Sequence, residues 1–252
     1  MVSTALVARL GTAADKPLVQ AATNNPHAHD LYLRARELSY RSDESSLNQA
    51  VTLFNQAISE DPNYAAARAG PAYTYLFIAD AYRAPVDLLP VMKGAAEKAV
   101  ALDPRRAESH AYLSHILLSY QRDFPAAERE MKLCVARYSS VQAGARATGE
   151  QDYMAAICYA HLGDDRHARS ILAQLESAAR KRYLDHANLA EIHVALDDKD
   201  AAFKALEQAY SDRSQPLLNV WAGSGFRVLH GDPRFRALMD KIYARQPPRV
   251  AS

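Results

Sequence analysis

The stretch Tyr159-Ala160-His161-Leu162-Gly163-Asp164-Asp165-Arg166-His167-Ala168, followed by Leu172 and Leu175, is answered by Ala195-Leu196-Asp197-Asp198-Lys199-Asp200-Ala201-Ala202, followed by Leu206 and Ala209. Ala168 to Ala202 and Leu172 to Leu206 are each 34 residues apart. A fixed spacing of this size marks an array built from one short repeated unit. In each copy an Asp-rich turn separates two segments whose apolar residues recur at helical steps. The unit is two antiparallel helices joined by a tight turn.

The first half carries the same second-helix pattern. Ala50, Phe54, Ala57 and Pro62 fall at steps of four, three and five; Ala127, Met131 and Cys134 repeat the first two steps, with Ser139 where the proline would fall. Met92, Ala96, Ala99 and Pro104 keep the rhythm, although Met92 fits the small position poorly. The small residues Ala50, Ala127, Ala168 and Ala202 let neighbouring helices approach, and Phe54, Met131, Leu172 and Leu206 fill the space one turn later. Asp61-Pro62 and Asp103-Pro104 stop a helix, because proline cannot continue one. A lone pair cannot bury its apolar face, so the pairs stack and share one core. The fold class is all-α, an α-solenoid of about five helix pairs, expected at 26–60, 63–102, 105–137, 149–180 and 183–212.

Around this array the sequence assigns 1–25 to an N-terminal extension or helix, 213–245 to a connecting loop and capping helix, and 246–252 to a disordered tail. In the last helix Phe235, Leu238, Met239 and Ile242 make one apolar face, and Arg234, Arg236, Asp240 and Lys241 face water. Such a helix closes a solenoid. Ser42 to Ser46 should hold N-caps for the following helix. Pro85 and Pro90 forbid a continuous helix over 82–90, and 139–149, rich in small residues, reads as an internal linker.

Composition narrows the function. The 252 residues are 49% hydrophobic and 23% charged, with Lys plus Arg at 30 against Asp plus Glu at 29. That balance argues against a strong field toward nucleic acid or anionic membrane. No run approaches the roughly 18 apolar residues of a membrane span. Residues 1–14 are mildly apolar, but Arg9 sits where a signal peptide would need its apolar centre. The expectation is a cytoplasmic protein. Cys134 and Cys158 lie within apolar helical patterns and read as small buried hydrophobes.

Catalytic or metal chemistry finds little footing. His27-Ala28-His29-Asp30 opens a helix after Pro26, with Asp30 expected to serve the helix N-terminus. His110 and His115 are five apart and off one helical face. No HExxH or CxxC arrangement occurs. Gly223-Ser224-Gly225 is neither a nucleophile elbow nor a phosphate loop. Asp164-Asp165 and Asp197-Asp198 are turn formers at helix starts, and Arg180-Lys181-Arg182 reads as a solvated helix end. The expectation is no enzyme and no cofactor.

The segments Asp30-Leu31-Tyr32-Leu33-Arg34-Ala35-Arg36, Ala57-Ile58-Ser59-Glu60-Asp61-Pro62-Asn63-Tyr64, Ala126-Ala127-Glu128-Arg129-Glu130-Met131 and Asp232-Pro233-Arg234-Phe235 resemble tetratricopeptide-repeat (TPR) proteins, in particular the TPR regions of bacterial multidomain regulators that carry a winged-helix, cyclase or kinase domain. The likeness covers about 26–245, although this chain contains no such effector domain. It implies a right-handed superhelix whose first helices line a concave groove. Carried over position by position, the groove residues are Tyr32 and Arg36, Tyr73 and Phe77, His115, Tyr153 and His161, and Glu191. Aromatic and Arg side chains are those enriched in binding hot spots. Tyr32 and Arg36 stand where chaperone-binding arrays carry Lys and Asn, which argues against capture of a chaperone tail. The resemblance implies a partner peptide or helix in the groove, with a small ligand held there as the alternative. Self-association through an uncapped end around residues 5–10 stays open.

Overall fold

A computed structural model of the chain describes residues 23–41, 43–142, 149–179, 184–214, 217, 220 and 224–244. The described residues form α1 (Pro26–Ser39), α2 (Glu44–Glu60), α3 (Ala65–Ala81), α4 (Pro85–Leu102), α5 (Ala107–Ile116), α6 (Phe124–Gln142), α7 (Gly149–His161), α8 (Asp165–Ala179), α9 (His186–Ala195), α10 (Lys199–Ser211) and α11 (Pro233–Ala244). A π turn, Leu117–Gln121, continues α5, and a 3-10 turn, Ser224–Leu229, precedes α11. No helix among these residues is long and apolar enough to cross a membrane. The extension at 1–22, the linker residues 143–148, the basic run 180–182 and the tail 246–252 lie outside the described residues.

Local chemistry explains the helix starts. Asn25 accepts hydrogen bonds from the backbone N–H groups of His27 (3.0 Å) and Ala28 (3.1 Å), with Pro26 in the first turn. Asn25 thus caps α1 in place of Asp30, which sits too far into the helix and pairs with Arg34 instead. Asp43 caps α2 through the Ser46 N–H at 2.9 Å. Three tight turns share one device: Arg122, Gly163 and Asp197 take positive φ (57°, 77° and 55°), which ends the preceding helix. The following Asp123, Asp164 and Asp198 then accept from the N–H of Ala126, His167 and Ala201 at 3.1, 3.2 and 3.1 Å. An αL residue followed by an Asp cap recurs 34 residues apart at Gly163 and Asp197, and 41 residues before Gly163 at Arg122.

Helices pack as α1 on α2, α3 on α4, α5 on α6, α7 on α8 and α9 on α10. The first helices also touch in succession: α3 meets α5, α5 meets α7, and α7 meets α9. Ala50, Ala127, Ala168 and Ala202 are all buried, as are Phe54, Met131, Leu172 and Leu206. Met92, the poor fit to the small position, is fully buried as well. Gly70 on α3 has a steric reason: a Cβ there would lie 2.3 Å from the Phe54 ring. One turn later Thr74 donates to the Gly70 carbonyl (2.9 Å) and meets Ser39 of α1 at 3.1 Å, so this buried polar contact is satisfied.

Two expectations need correction. Helix α4 starts at Pro85 and runs through Pro90, so the irregular turn over 82–90 shrinks to its first three residues. Pro90 cannot donate to the Val86 carbonyl. Burial of Leu88, Met92, Ala96 and Ala99 on one face outweighs that missing bond. Likewise α6 extends through Gln142, so residues 139–142 are helical rather than linker; Ser139 bonds the Val135 carbonyl at 2.9 Å within that helix. Cys134 and Cys158 are free and buried. Their mutual hydrogen bond and burial push the Cys134 thiol well up. At the C-terminal end, Phe235, Leu238, Met239 and Ile242 of α11 are buried on α10 and the turn before it. Arg234 stays outside, 4.2 Å above the Phe203 ring and 2.6 Å from Asp200.

Candidate functional site: a groove in two compartments

Because first helices stack on first helices, one face of each contributes to a continuous groove. Its C-terminal compartment has a volume of about 790 Å3 including its open mouth. Helix α3 supplies Tyr73, Leu76, Phe77 and Asp80, and α5 supplies Tyr112 and His115. Helix α7 adds Tyr153, Met154 and Ile157, and α9 adds Asn188 and Glu191. The far wall is the 3-10 turn, through Gly225 and Phe226. Gly225 is needed there, since a Cβ would lie 2.4 Å from Glu191 Oε1. The aromatic lining is itself packed: Tyr73 meets Phe77 edge-on at 4.8 Å and Tyr112 at 5.4 Å between ring centres.

The electrostatics of this compartment follow from burial. The Tyr153 hydroxyl donates to Glu191, and Tyr120, carried by the π turn, donates to Asp80. Burial raises the Glu191 carboxyl to about 7; the Tyr153 hydrogen bond opposes that rise and the negative charge of Asp80 adds to it. Tyr153 is pushed well up by burial and by Glu191, so it stays a donor. His115 is lowered to about 4 by burial first, then by the positive charges of His161 and Arg227, and is neutral at neutral pH.

The N-terminal compartment shares Tyr73 and Tyr112 and adds Tyr32, Arg36, Tyr40, Phe54, Arg106 and Glu108. Arg36 donates to the Tyr40 hydroxyl at 3.2 Å and lies 5.7 Å over the Tyr32 ring. Arg106 pairs with Glu108 at 3.2 Å, with side-chain exposures of only 24% and 12%.

Of the residues expected in the groove, Tyr73, Phe77, His115, Tyr153 and Glu191 come together in the C-terminal compartment. Tyr32, Arg36 and again Tyr73 line the N-terminal one. His161 lines neither: it is the last residue of α7 and exposed. The sequence reading missed Asp80, Tyr112, Arg106, Glu108, Gly225 and Phe226. Asp80 and Tyr112 had a signal, each three residues from an expected groove residue on its own helix. Gly225 and Phe226 had none, because they reach the groove from outside the repeats. Among the described residues no group of three or more His, Cys, Asp or Glu could hold a metal ion.

Stacked helix pairs with a groove along their first helices define a TPR-like helical-repeat protein. A crystal structure of TTC0263, described as a thermophilic TPR protein in Thermus thermophilus, matches with a TM-score of 0.50 at 18% identity, over 77% of this chain and 98% of that one. The likeness is one of fold. No protein-family model matches the chain, and no curated protein matches it.

Proposed function

We propose that this chain is a non-enzymatic, cytoplasmic scaffold that lays a partner peptide or helix along its concave groove, as the sensing or assembly module of a bacterial regulatory system. The observation that supports this reading is the aromatic lining contributed by successive first helices, running from Tyr32 through Tyr73 and Tyr112 to Tyr153. Rigid aromatics on a pre-formed surface suit capture of an extended segment. With this reading goes a right-handed superhelix of five pairs over 26–212, closed by 213–245. Replacing Tyr73, His115 and Tyr153 together with Ala should abolish retention of a partner that the parent chain retains from extract, compared at a temperature where circular dichroism shows both proteins folded. Equal retention by both proteins overturns the reading. A small-ligand sensor is the second reading, supported by the concave, largely apolar and aromatic lining of the C-terminal compartment with its few polar groups. Melting shifts on a metabolite panel would favour it.

A further inference from the structure

The C-terminal compartment is lined by acids and by a histidine that is neutral at neutral pH. Asp80 and Glu191 both line it, and no Lys or Arg does among the described residues. Each carboxylate receives a tyrosine hydroxyl, from Tyr120 and from Tyr153, and Tyr153 is the one described donor to Glu191. At Glu191 the hydroxyl satisfies a lone pair and brings no positive charge. The two acids feel one another's charge, His115 is neutral, and Arg227 is exposed and not part of the lining. A half-buried carboxylate such as Glu191, held by a hydroxyl and no described cation, is less favourable as an anion unless something pairs with it.

We propose that this compartment receives a basic side chain, the ammonium of a lysine or the guanidinium of an arginine, carried by the partner segment that lies in the groove. The proposal rests on the scaffold reading above. Three features besides charge favour that occupant. Tyr73, Phe77, Tyr112 and Phe226 present aromatic rings around the carboxylates, and a cation gains from an aromatic face in a desolvated site. Leu76, Met154 and Ile157 offer apolar wall for the methylene stem of Lys or Arg. The groove continues into the second compartment through the shared Tyr73 and Tyr112, which gives room for the rest of a chain rather than for an isolated amine.

The test is selection of a random peptide library displayed on phage against the parent chain, Glu191→Gln and Asp80→Asn, with circular dichroism to establish that all three are folded at the selection temperature. The expected result is enrichment of Lys or Arg at one fixed position by the parent chain. That enrichment should vanish with Glu191→Gln while selection for apolar neighbours persists. A selected peptide should bind Glu191→Gln about tenfold more weakly or worse, and Asp80→Asn should weaken it in the same direction. Peptides enriched without a basic position overturn the cation proposal and leave the scaffold reading standing. No enrichment at all overturns both. Putrescine, titrated alone, binding as tightly as the selected peptide overturns the assignment to a peptide side chain and favours the small-ligand reading.

Discussion

In the N-terminal compartment the buried cation, Arg106, has a carboxylate 3.2 Å away in Glu108. In the C-terminal compartment the carboxylate of Glu191 is held by the Tyr153 hydroxyl. The two compartments share Tyr73 and Tyr112, so the same aromatic wall borders a neutralised pair on one side and a hydroxyl-bound acid on the other. Arg106 has its counter-ion within the chain, although its buried Nε makes no hydrogen bond there, whereas Glu191 has a hydroxyl donor and no described cation. On the scaffold reading, the Arg106–Glu108 pair therefore belongs to the frame of the groove and the Glu191 carboxylate to recognition.

The comparison can be broken first at Arg106. Arg106→Ala takes the cation from the largely buried Glu108 and should destabilise the protein by about 3 kcal/mol, measured by urea denaturation. A loss near zero would mean that the pair does not hold the fold together. Next comes the pH dependence. The Glu191 carboxyl stands at about 7, above its unfolded value of 4.5. The folded state therefore binds the extra proton between these values, and stability falls as pH rises through that window. Glu191→Gln should remove this fall, on the order of 2 kcal/mol at pH 8.

His115 acts with the opposite sign. Its folded value of about 4 lies below the ordinary 6.5, so it costs stability as pH drops through that interval. His115→Gln should lessen acid sensitivity below about pH 6 and leave the melting temperature near pH 8 almost unchanged. Thermal melts of the parent chain and the two variants from acid to pH 8 separate these contributions. Other groups facing the compartment are Asp80 and Tyr73 from α3, Tyr112 from α5 and Tyr153 from α7, with Arg227 beyond its rim. The smallest expected effect is that of Gly225→Ala. Its Cβ would meet Oε1, Cδ and Cγ of Glu191 at 2.4, 2.9 and 2.9 Å, so that side chain must shift from Cγ outward, at a cost of about 1 kcal/mol. The displaced carboxylate should still weaken peptide capture, which a structure-only role for Gly225 would not do.

How far the sequence could be read depends on which residues report to the repeat. Ala50, Ala127, Ala168 and Ala202 gave the helix pairing away because packing against a neighbouring helix needs a small residue at one fixed phase. Tyr73, Phe77, His115 and Tyr153 came from the resemblance to TPR arrays, whose groove positions were carried over to the first helices; His161, carried over in the same way, lines neither compartment. Pro90 misled, because a rule about isolated helices was set against a buried apolar stripe and lost. Arg106 was illegible: it stands in the turn before α5, where charged residues usually face water, and its burial comes from the compartment assembled around it. The Gly225 contact depends on how the chain folds back after the last pair, which no periodic pattern encodes.

The π turn at Leu117–Gln121 bears on how this array can be engineered. It lets α5 carry one residue more than regular helical geometry allows, and it delivers Tyr120 to Asp80 across a sequence separation of 40 residues. A designer regularising the repeats toward a uniform length would remove that residue first. Doing so would turn the following side chains by about 100° around the helix and take the Tyr120 hydroxyl off Asp80. A tidier array built this way should remain a solenoid and lose the fixed position of Asp80 in the wall of its C-terminal compartment. In this molecule the departure from the repeat is where the groove acquires its individual character.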